Sequence, residues 1–386
     1  MKNTGKFGID KIHLSIPNDT VTIGTIVTAE VELTTHSEDV KYAWYIYHNE
    51  KIIEKIMYSS GTQKCNLAIN KLGTWKFKAF ILSSEGEKVA KYSQEITCVK
   101  KKSKALEDFP ERIISYENLN SLNVDTELPT LYTIEKDDSI YEYLVKRDKT
   151  SSNLTVIGSG TYDPNRYQLP VFQRFTWMNE IEGNVIYYND PTLYLGDIRV
   201  GWGQGSLKEF PLSIIAETVK TFARKMNINN NQILFYGSSS GGFMSLVLGG
   251  YVKGASVLVN NPITIVSDSK YFNKFFSNIG EIAYKGYSLE KMKREFRERQ
   301  DIRMLYKMLN YVPNIYCLVN AASEYDMEKH FKPMINESNK LLDHPSNNEL
   351  ITHLYWDEEA QHNPIDKEET LKYINKVRRM WCISKK

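Results

Sequence analysis

The sequence has no long hydrophobic run and almost no net charge. Nowhere in its 386 residues do 18 uninterrupted apolar residues occur, so no segment is predicted to span a membrane. The first 19 residues also lack the apolar stretch typical of a signal peptide, and we expect none. Lysine and arginine number 49, against 47 aspartate and glutamate residues. Because these charges nearly cancel, we expect neither nucleic acid nor an anionic membrane as a partner.

Cysteine is scarce, and the four residues that occur are scattered without a C-x-x-C pair: Cys65, Cys98, Cys317 and Cys382. We expect buried thiols in a reducing, cytoplasmic setting, with any membrane association arising through partner proteins. In an oxidising compartment, Cys65 and Cys98 would be the candidates for a disulfide. The chain also lacks zinc-spaced histidines and cysteines, a P-loop lysine pattern and a calcium loop. We therefore expect no metal and no resident cofactor.

The composition is that of a globular protein with two domains. Hydrophobic residues make up 41% of the chain and charged residues 25%, and 386 residues exceed one ordinary core. Residues 8–99 alternate between apolar and polar positions in short runs that turn residues separate. Period two with one apolar face predicts a small antiparallel β-sandwich domain over residues 1–100.

The remainder of the chain has a different pattern. Residues 101–130 are charged and rich in asparagine, with Pro110 and Pro129, which is typical of a linker or a wrapping segment. After them, apolar β-runs without alternation are separated by amphipathic helices. This predicts an α/β catalytic domain over residues 131–386, with a doubly wound, mostly parallel sheet. Residues 267–312 form a basic, aromatic, helical interruption, which we interpret as a cap over the site; a solvated helical face is the alternative.

The most informative stretch is NQILFYGSSSGGFMSLVLGG, residues 231–250. An apolar strand leads through a glycine- and serine-rich turn into an apolar helix, with a G-x-S-x-G centred on Ser239. A turn this tight needs small neighbours and leaves the serine hydroxyl exposed above the sheet edge. We predict Ser239 as a nucleophile, with the N–H of Ser240 facing the oxyanion that forms during attack. The alternative is an ordinary loop that joins a strand to a helix.

A serine nucleophile needs a histidine base and a carboxylate that orients the base. In this sheet topology they follow the serine in the order acid, then histidine. His362 lies in the loop DEEAQHNP after the last predicted strand, and we predict it as the base; His330 and His344 lie in or beside an earlier helix. The strand NIYCLVN leads into a loop that ends at Asp326, which we predict as the carboxylate. Glu324 is the second choice, and Asp326 as a helix N-cap is the structural alternative.

Three further segments supply candidates for the walls of the site. The loop after an early strand contains Ser159 and Gly160, and we predict one of their N–H groups as the second oxyanion donor; a simple glycine turn is the alternative. In FQRF, Arg174 is a candidate to bind a charged group of the substrate. In GWGQG, residues 201–205, Trp202 is a candidate to stack on a sugar. Loop packing explains these last two residues equally well.

Together these motifs resemble a known family. GSSSGG after a strand, the acid loop NAASEYD and the final loop QHNP resemble α/β-hydrolases. IGSGTYDP, FQRFTW, DPTLY and GWGQG resemble the polysaccharide and glycoprotein O-acetyltransferases of that fold, which occur in bacterial capsule gene clusters and accessory secretion systems. The resemblance covers roughly residues 130–386. It implies Ser239 as the acyl-accepting nucleophile, His362 as base and then acid, Asp326 as its orienting group, and acetyl-CoA as the acyl donor.

The first domain carries a looser resemblance. Its segments YAWY at residues 42–45 and GTW at residues 73–75 resemble the immunoglobulin-like triple-tyrosine modules of bacterial sensor and surface-polysaccharide proteins. For the whole chain we favour a serine-dependent acyltransferase that modifies a surface polysaccharide or glycan, with other proteins of polysaccharide biosynthesis as partners. One alternative is an esterase or deacylase with the same triad. The other is a catalytically degenerate hydrolase that binds a glycan or a partner protein.

Overall fold

The computed structural model describes residues 7–34, 39–100, 103–137, 139–342 and 348–382. The chain divides into two compact units, one of residues 1–101 with 194–196 and the other of residues 102–193 with 197–386. Within the described ranges, no helix has both the length and the apolar character needed to cross a membrane.

The first unit contains two β-sheets. One has the strand order β1-β3-β6, and the other has the order β2-β9-β7-β4-β5, with β8 pairing to β7. The strands are β1 (Ile9–Leu14), β2 (Thr20–Thr22), β3 (Thr25–Leu33), β4 (Lys41–His48), β5 (Lys51–Ser59), β6 (Lys64–Ile69), β7 (Gly73–Leu82), β8 (Lys88–Tyr92) and β9 (Ile96–Val99).

The alternating pattern of the sequence explains how this unit is stabilised. Trp44 of β4 and Trp75 and Phe77 of β7 are fully buried in a single apolar core. Along β7, buried residues alternate with more exposed ones. All the pairings are antiparallel except β2 with β9. The assignment to the immunoglobulin-like class stays a prediction.

The segment predicted as a linker or a wrapping segment is part of the second unit from residue 102 onwards. Its residues Glu111–Ser115 form a strand, β10, that pairs in parallel with the next strand of the chain. Leu106, Leu119 and Leu122 of this segment are buried. These isolated apolar residues were overlooked because the segment as a whole is charged and rich in asparagine. Their buried side chains attach the segment to the second unit.

The second unit is built on one nine-stranded sheet. Its order is β10-β11-β12-β14-β13-β15-β16-β17-β18. The pairings of β12 with β11 and β14 are antiparallel, and every other pairing is parallel. The remaining strands are β11 (Thr130–Lys136), β12 (Ser139–Lys146), β13 (Leu154–Gly158), β14 (Asn184–Tyr188), β15 (Ile233–Ser238), β16 (Ser256–Asn260), β17 (Asn314–Asn320) and β18 (Leu350–Tyr355).

Helices cover this sheet and connect its strands. They are α1 (Pro211–Lys225), α2 (Ser239–Tyr251), α3 (Phe272–Ala283), α4 (Leu289–Glu295), α5 (Arg297–Gln300), α6 (Ile302–Leu309), α7 (Glu324–Asp326), α8 (Lys332–Leu342) and α9 (Lys367–Trp381). Because α2 and α9 both contact the central strands, β13 to β17 are buried throughout and read as continuous apolar runs. The mostly parallel α/β sheet predicted from those runs is confirmed.

The interruption at residues 267–312 is helical. It contains α3 to α6 and lies between β16 and β17. Helix α3 contributes Phe272 and Phe275, which pack on Trp202, and α6 packs on α2. The role of this segment as a cap stays a prediction.

Candidate active site

A sharp turn between β15 and α2 presents Ser239. The backbone of Ser239 has a φ of +53°, which an L-residue rarely adopts. The turn brings the chain so close to itself that a Cβ on Gly237 would lie 2.2 Å from the carbonyl oxygen of Gly241. A Cβ on Gly241 would lie 2.9 Å from the carbonyl oxygen of Gly158. Glycine at both positions is therefore required by the fold, and the strain is of the kind that accumulates at functional sites.

Ser239, His362 and Asp326 form a continuous hydrogen-bonded chain. The Nε2 atom of His362 lies 2.8 Å from Oγ of Ser239. On the other side of the ring, Nδ1 lies 2.7 and 2.8 Å from the two carboxylate oxygens of Asp326. A carboxylate only accepts hydrogen bonds when it is ionised, so it fixes the proton on Nδ1. The lone pair of Nε2 then faces the serine hydroxyl, which is the arrangement for removing its proton.

The sheet topology brings these three residues together. Ser239 follows β15, Asp326 follows β17, and His362 follows β18. Because these strands are parallel, their carboxyl ends lie along one edge of the sheet. Asp326 is 1% exposed and also accepts a hydrogen bond from Oγ of Ser323, at 2.7 Å. Glu324, the second choice for the acid, is exposed and makes no contact with His362 within the described residues.

Three buried asparagines hold the loop that carries His362. Asn261 donates from Nδ2 to the carbonyl oxygens of His362 and Asn363, at 3.2 and 3.1 Å. Asn320 donates to the carbonyl oxygens of Asp357 and Gln361. These two asparagines and Asn260, which accepts from the N–H of Ile365 at 2.8 Å, are at most 1% exposed.

We call Asn260, Asn261 and Asn320 the asparagine clamp. The sequence analysis did not identify these residues. The clamp members are also joined to each other, because Oδ1 of Asn261 accepts from the N–H of Asn320 at 2.8 Å. A signal was present in the sequence: each apolar run, VLV and CLV, ends at asparagine. A polar side chain at the carboxyl end of a buried parallel strand lies where loops must be fixed.

The sequence analysis predicted Ser240 as one oxyanion donor and either Ser159 or Gly160 as the second, each through its backbone N–H. The N–H of Ser240 belongs to the first turn of α2, where no intrahelical acceptor exists. The N–H of Ser159 has no hydrogen-bond partner among the residues that the structure describes. Its loop contacts the start of α2 through Gly241, as the close approach of Gly158 shows. The Ser159 loop therefore lies against the first turn of α2, which begins at Ser239. The role of the two N–H groups in catalysis stays a prediction.

The other alternative, the N–H of Gly160, is excluded by its own hydrogen bond. It donates to Oε1 of Gln173 at 2.8 Å, so it is not available to an oxyanion. The side chain of Ser159 likewise shapes the loop, because its Oγ donates to the carbonyl oxygen of Val171 and accepts from the N–H of Gln173. These hydrogen bonds attach the loop to Val171 and Gln173.

Trp202 does not offer a face to a sugar. It is 1% exposed and packs against Phe272 and Phe275, with ring centroids 6.3 and 5.4 Å away. The buried carboxylate of Asp190 fixes the loop by accepting from the N–H of Gly203 and of Thr192, both at 2.9 Å. Sugar stacking is therefore the wrong interpretation of GWGQG, and loop packing is the correct one.

His330 is a second histidine close to the site. It lies in the π-helical turn Met327–Phe331 that follows Asp326, and it is 1% exposed. Its Nδ1 accepts from the N–H of Thr264 at 3.4 Å, and its Nε2 is buried without a hydrogen-bond partner among the described residues. Burial lowers the pKa of His330 to about 4, against the opposing field of Asp326. His344, its neighbour in the sequence analysis, lies outside the described residues.

Comparison with known proteins gives similarity in three-dimensional structure only. No model of a protein family matches the chain, and no curated protein matches its sequence. A capsule O-acetyltransferase of Neisseria meningitidis serogroup A, in complex with CoA, is 16% identical and has a TM-score of 0.49, covering 67% of this chain and 99% of that one.

Two other solved structures are similar to a comparable degree. A putative carboxylesterase from Lactobacillus plantarum is 12% identical with a TM-score of 0.42, covering 66% of this chain and 99% of that one. A glycosylation-associated protein complex (Gap123) from Streptococcus agalactiae is 12% identical with a TM-score of 0.48, covering 92% of this chain and 68% of that one.

We expect the substitution Asn261→Asp to slow the reaction of Ser239 while the protein stays folded. Aspartate keeps the acceptor for Asn320 but removes the donor to the carbonyl oxygens of His362 and Asn363, so the His362 loop shifts. A displacement of about 1 Å costs roughly 100-fold in rate. The measurement is the rate of labelling by a neutral fluorophosphonate, with Asn179→Asp, an exposed site, as control. Equal rates in both variants would show that the clamp does not position the histidine.

We expect the substitution His330→Asn to remove part of the acid sensitivity of folding. Because the pKa of His330 is about 4 in the folded protein and 6.5 in the unfolded chain, only the unfolded state takes up the proton between these values. Stability from this group is thus complete above pH 6.5 and is lost as the pH falls towards 4. The free energy of unfolding should fall about 2 kcal/mol more in the wild type than in the variant between pH 7 and 5. Urea unfolding measures this, with His353→Asn as control; an identical pH dependence in all three proteins would contradict it.

Proposed function

We propose that this protein is a serine-dependent acyltransferase of the α/β-hydrolase type that moves an acyl group, an acetyl group in the favoured case, to a hydroxyl of a bacterial surface polysaccharide or glycoconjugate. The observation that carries the proposal is the contact of 2.8 Å between Nε2 of His362 and Oγ of Ser239, with Asp326 behind the ring. The motif resemblance of residues 130–386 to O-acetyltransferases supports the choice of acyl group and acceptor.

The first half-reaction would acylate Ser239. His362 takes the hydroxyl proton as Oγ attacks the acyl carbonyl, and the ionised Asp326 stabilises the imidazolium that forms. The negative charge that develops on the carbonyl oxygen is stabilised by the N–H groups of Ser240 and Ser159 and by the dipole of α2. With acetyl-CoA as donor, the carbon–sulfur bond then breaks, and the thiolate leaves with the proton from His362.

The second half-reaction would return the enzyme to its starting state. An acceptor hydroxyl attacks the acyl-serine while His362 takes its proton. The ester bond to Oγ then breaks, and the proton passes from His362 back to Ser239. Each proton that His362 accepts is thus released in the following step, and the protein ends unchanged.

An esterase is the second candidate, and one observation favours it. The side chain of His362 is 42% exposed, so water reaches the base that would activate an acceptor. Hydrolysis and transfer use the same three residues and differ only in which hydroxyl attacks the acyl-enzyme. A transferase must therefore let its acceptor compete with water at a site that is open to solvent.

The nucleophile is tested by a fluorophosphonate probe, which modifies activated serines. We expect the wild type to be labelled at Ser239 and the variant Ser239→Ala to show no labelling, because Oγ is the attacking atom. His362→Ala should reduce the labelling rate by roughly 1,000-fold or more, since it removes the base. Ser277→Ala, at an exposed serine of α3, is the matched control. Labelling of Ser239→Ala equal to that of the wild type would refute the proposed nucleophile.

Transfer is separated from hydrolysis by the fate of the acyl group. We expect acetyl-CoA to release CoA slowly in water and several-fold faster when a polysaccharide acceptor is added, with the acetyl group recovered on the acceptor by mass spectrometry. This is expected because the acyl-enzyme of a transferase reacts faster with the acceptor hydroxyl than with water. Rapid cleavage of simple esters to free acid, unaffected by any acceptor, would instead support the esterase.

A further inference from the structure

Arg174 lies beside the nucleophile with most of its hydrogen-bonding capacity unused. Its Nη2 donates to Oγ of Ser238 at 2.7 Å, and Ser238 immediately precedes Ser239. The guanidinium carbon lies 5.4 Å from the ring of Trp177 and 5.5 Å from the ring of Tyr236. These two aromatic faces hold the planar group in place and favour its positive charge. The guanidinium is therefore fixed beside Ser238, the residue that precedes Ser239 in the chain.

The guanidinium of Arg174 has no carboxylate counterion in the part of the chain that the structure describes. Among the described residues no carboxylate lies within ion-pair distance of Arg174, and its Nη1 is buried without a hydrogen-bond partner. The side chain as a whole is only partly exposed. A guanidinium has five N–H donors, and a partly buried charge without a partner is costly. Such an arrangement is stabilised when an anion binds.

The backbone prevents Arg174 from relaxing away from this position. Its φ is +65°, in the left-handed region, and its carbonyl oxygen accepts a hydrogen bond from the hydroxyl of Tyr187 at 3.1 Å. The preceding residue, Gln173, is bound to Gly160 and to Thr161. Non-glycine residues in this conformation persist where the surroundings over-determine them, which is common at ligand sites.

A second positive element lies at the same place. Helix α2 begins at Ser239 and runs for 13 residues, so its N-terminal partial positive charge is directed at the same region as the guanidinium. The ionised group of the triad, Asp326, is buried on the far side of His362 and is engaged by Nδ1 and by Ser323. The local charges beside Ser238 therefore favour an anion.

We propose that Arg174 forms a subsite for an oxyanion, a carboxylate, sulfate or phosphate group, carried by one of the two substrates of Ser239. The proposal rests on the proposed function, because it assigns a substrate feature to the same site. The anion belongs either to the donor, as the phosphates of CoA do, or to the acceptor, as the acid group of an acidic sugar does. Arginine suits either source, because its fork of donors matches the oxygens of these groups.

Two pairs of substrates, each with one anionic and one neutral member, test the subsite. In the donor arm, acetyl-CoA is compared with S-acetylpantetheine, which has the same thioester and no phosphate. In the acceptor arm, methyl glucuronide is compared with methyl glucoside, with 4-nitrophenyl acetate as donor. In each arm we measure kcat/KM for the charged and the neutral substrate and take their ratio. The proteins compared are the wild type, Arg174→Gln, Arg174→Lys and Arg112→Gln. Arg112 lies on the edge strand β10 and serves as the control.

We expect Arg174→Gln to lower this ratio about 10- to 100-fold in one arm, and that arm identifies the source of the anion. Arg174→Lys should restore part of the ratio, since it keeps the charge without the fork, and Arg112→Gln should leave it unchanged. A role limited to holding Ser238 would slow charged and neutral substrates equally. An unchanged ratio in both arms, with far-ultraviolet circular dichroism showing all variants folded, overturns the subsite.

The failure of the subsite is distinguishable from the failure of the proposed function. Acylation of Ser239 by the neutral ester 4-nitrophenyl acetate tests the nucleophile without any anion. If the ester acylates Ser239 and the ratios do not change, the subsite alone is refuted. If the ester does not acylate Ser239 in the wild type, the proposed function is refuted and the subsite with it.

Discussion

The close approach of the chain to itself at the turn after β15 is the constraint on which the rest of the site depends. Gly237 and Gly241 are nearly in contact across this turn, and Gly241 in turn touches the end of β13. Only this geometry forces Ser239 into a positive φ and places its hydroxyl at the sheet edge. The same contact brings the Ser159 loop to the start of α2. One steric constraint therefore positions Ser239, the proposed nucleophile, and the loop and helix turn that carry the two candidate oxyanion donors.

His362, the proposed base, is positioned by a different kind of interaction, a network of buried amides. A loop as long as that between β18 and α9 would ordinarily be variable in conformation. Here Asn260, Asn261 and Asn320 satisfy its carbonyl and N–H groups from the ends of β16 and β17. Because each amide is buried, an unmade bond would cost the full desolvation of the group. The network thus holds His362 with the rigidity of the sheet although the residue itself lies in a loop.

Electrostatics divides the site into two sides. On one side of the imidazole, the buried carboxylate of Asp326 lies 2.7 Å from Nδ1, which would favour positive charge on His362 in the proposed reaction. On the other side, the N-terminus of α2 and the guanidinium of Arg174 favour negative charge. A reaction that moves a proton towards the carboxylate and develops an oxyanion near the helix matches this separation. The two charges that it creates are each met by fixed groups of the opposite sign.

Local periodicity and the small residues that a tight turn requires were enough to predict the parallel sheet, the turn at Ser239 and the order of the residues around it. The sequence also identified Asp326 and His362 as candidates from their place after strands, although only coordinates bring them within hydrogen-bond distance. Only the three-dimensional arrangement shows that the N–H of Gly160 donates to Gln173, that Trp202 is buried, and that no described carboxylate lies within ion-pair distance of Arg174. These outcomes depend on partners remote in the chain, such as Gln173 for Gly160, and a hydrogen bond or a packed ring has no periodicity that a sequence could display.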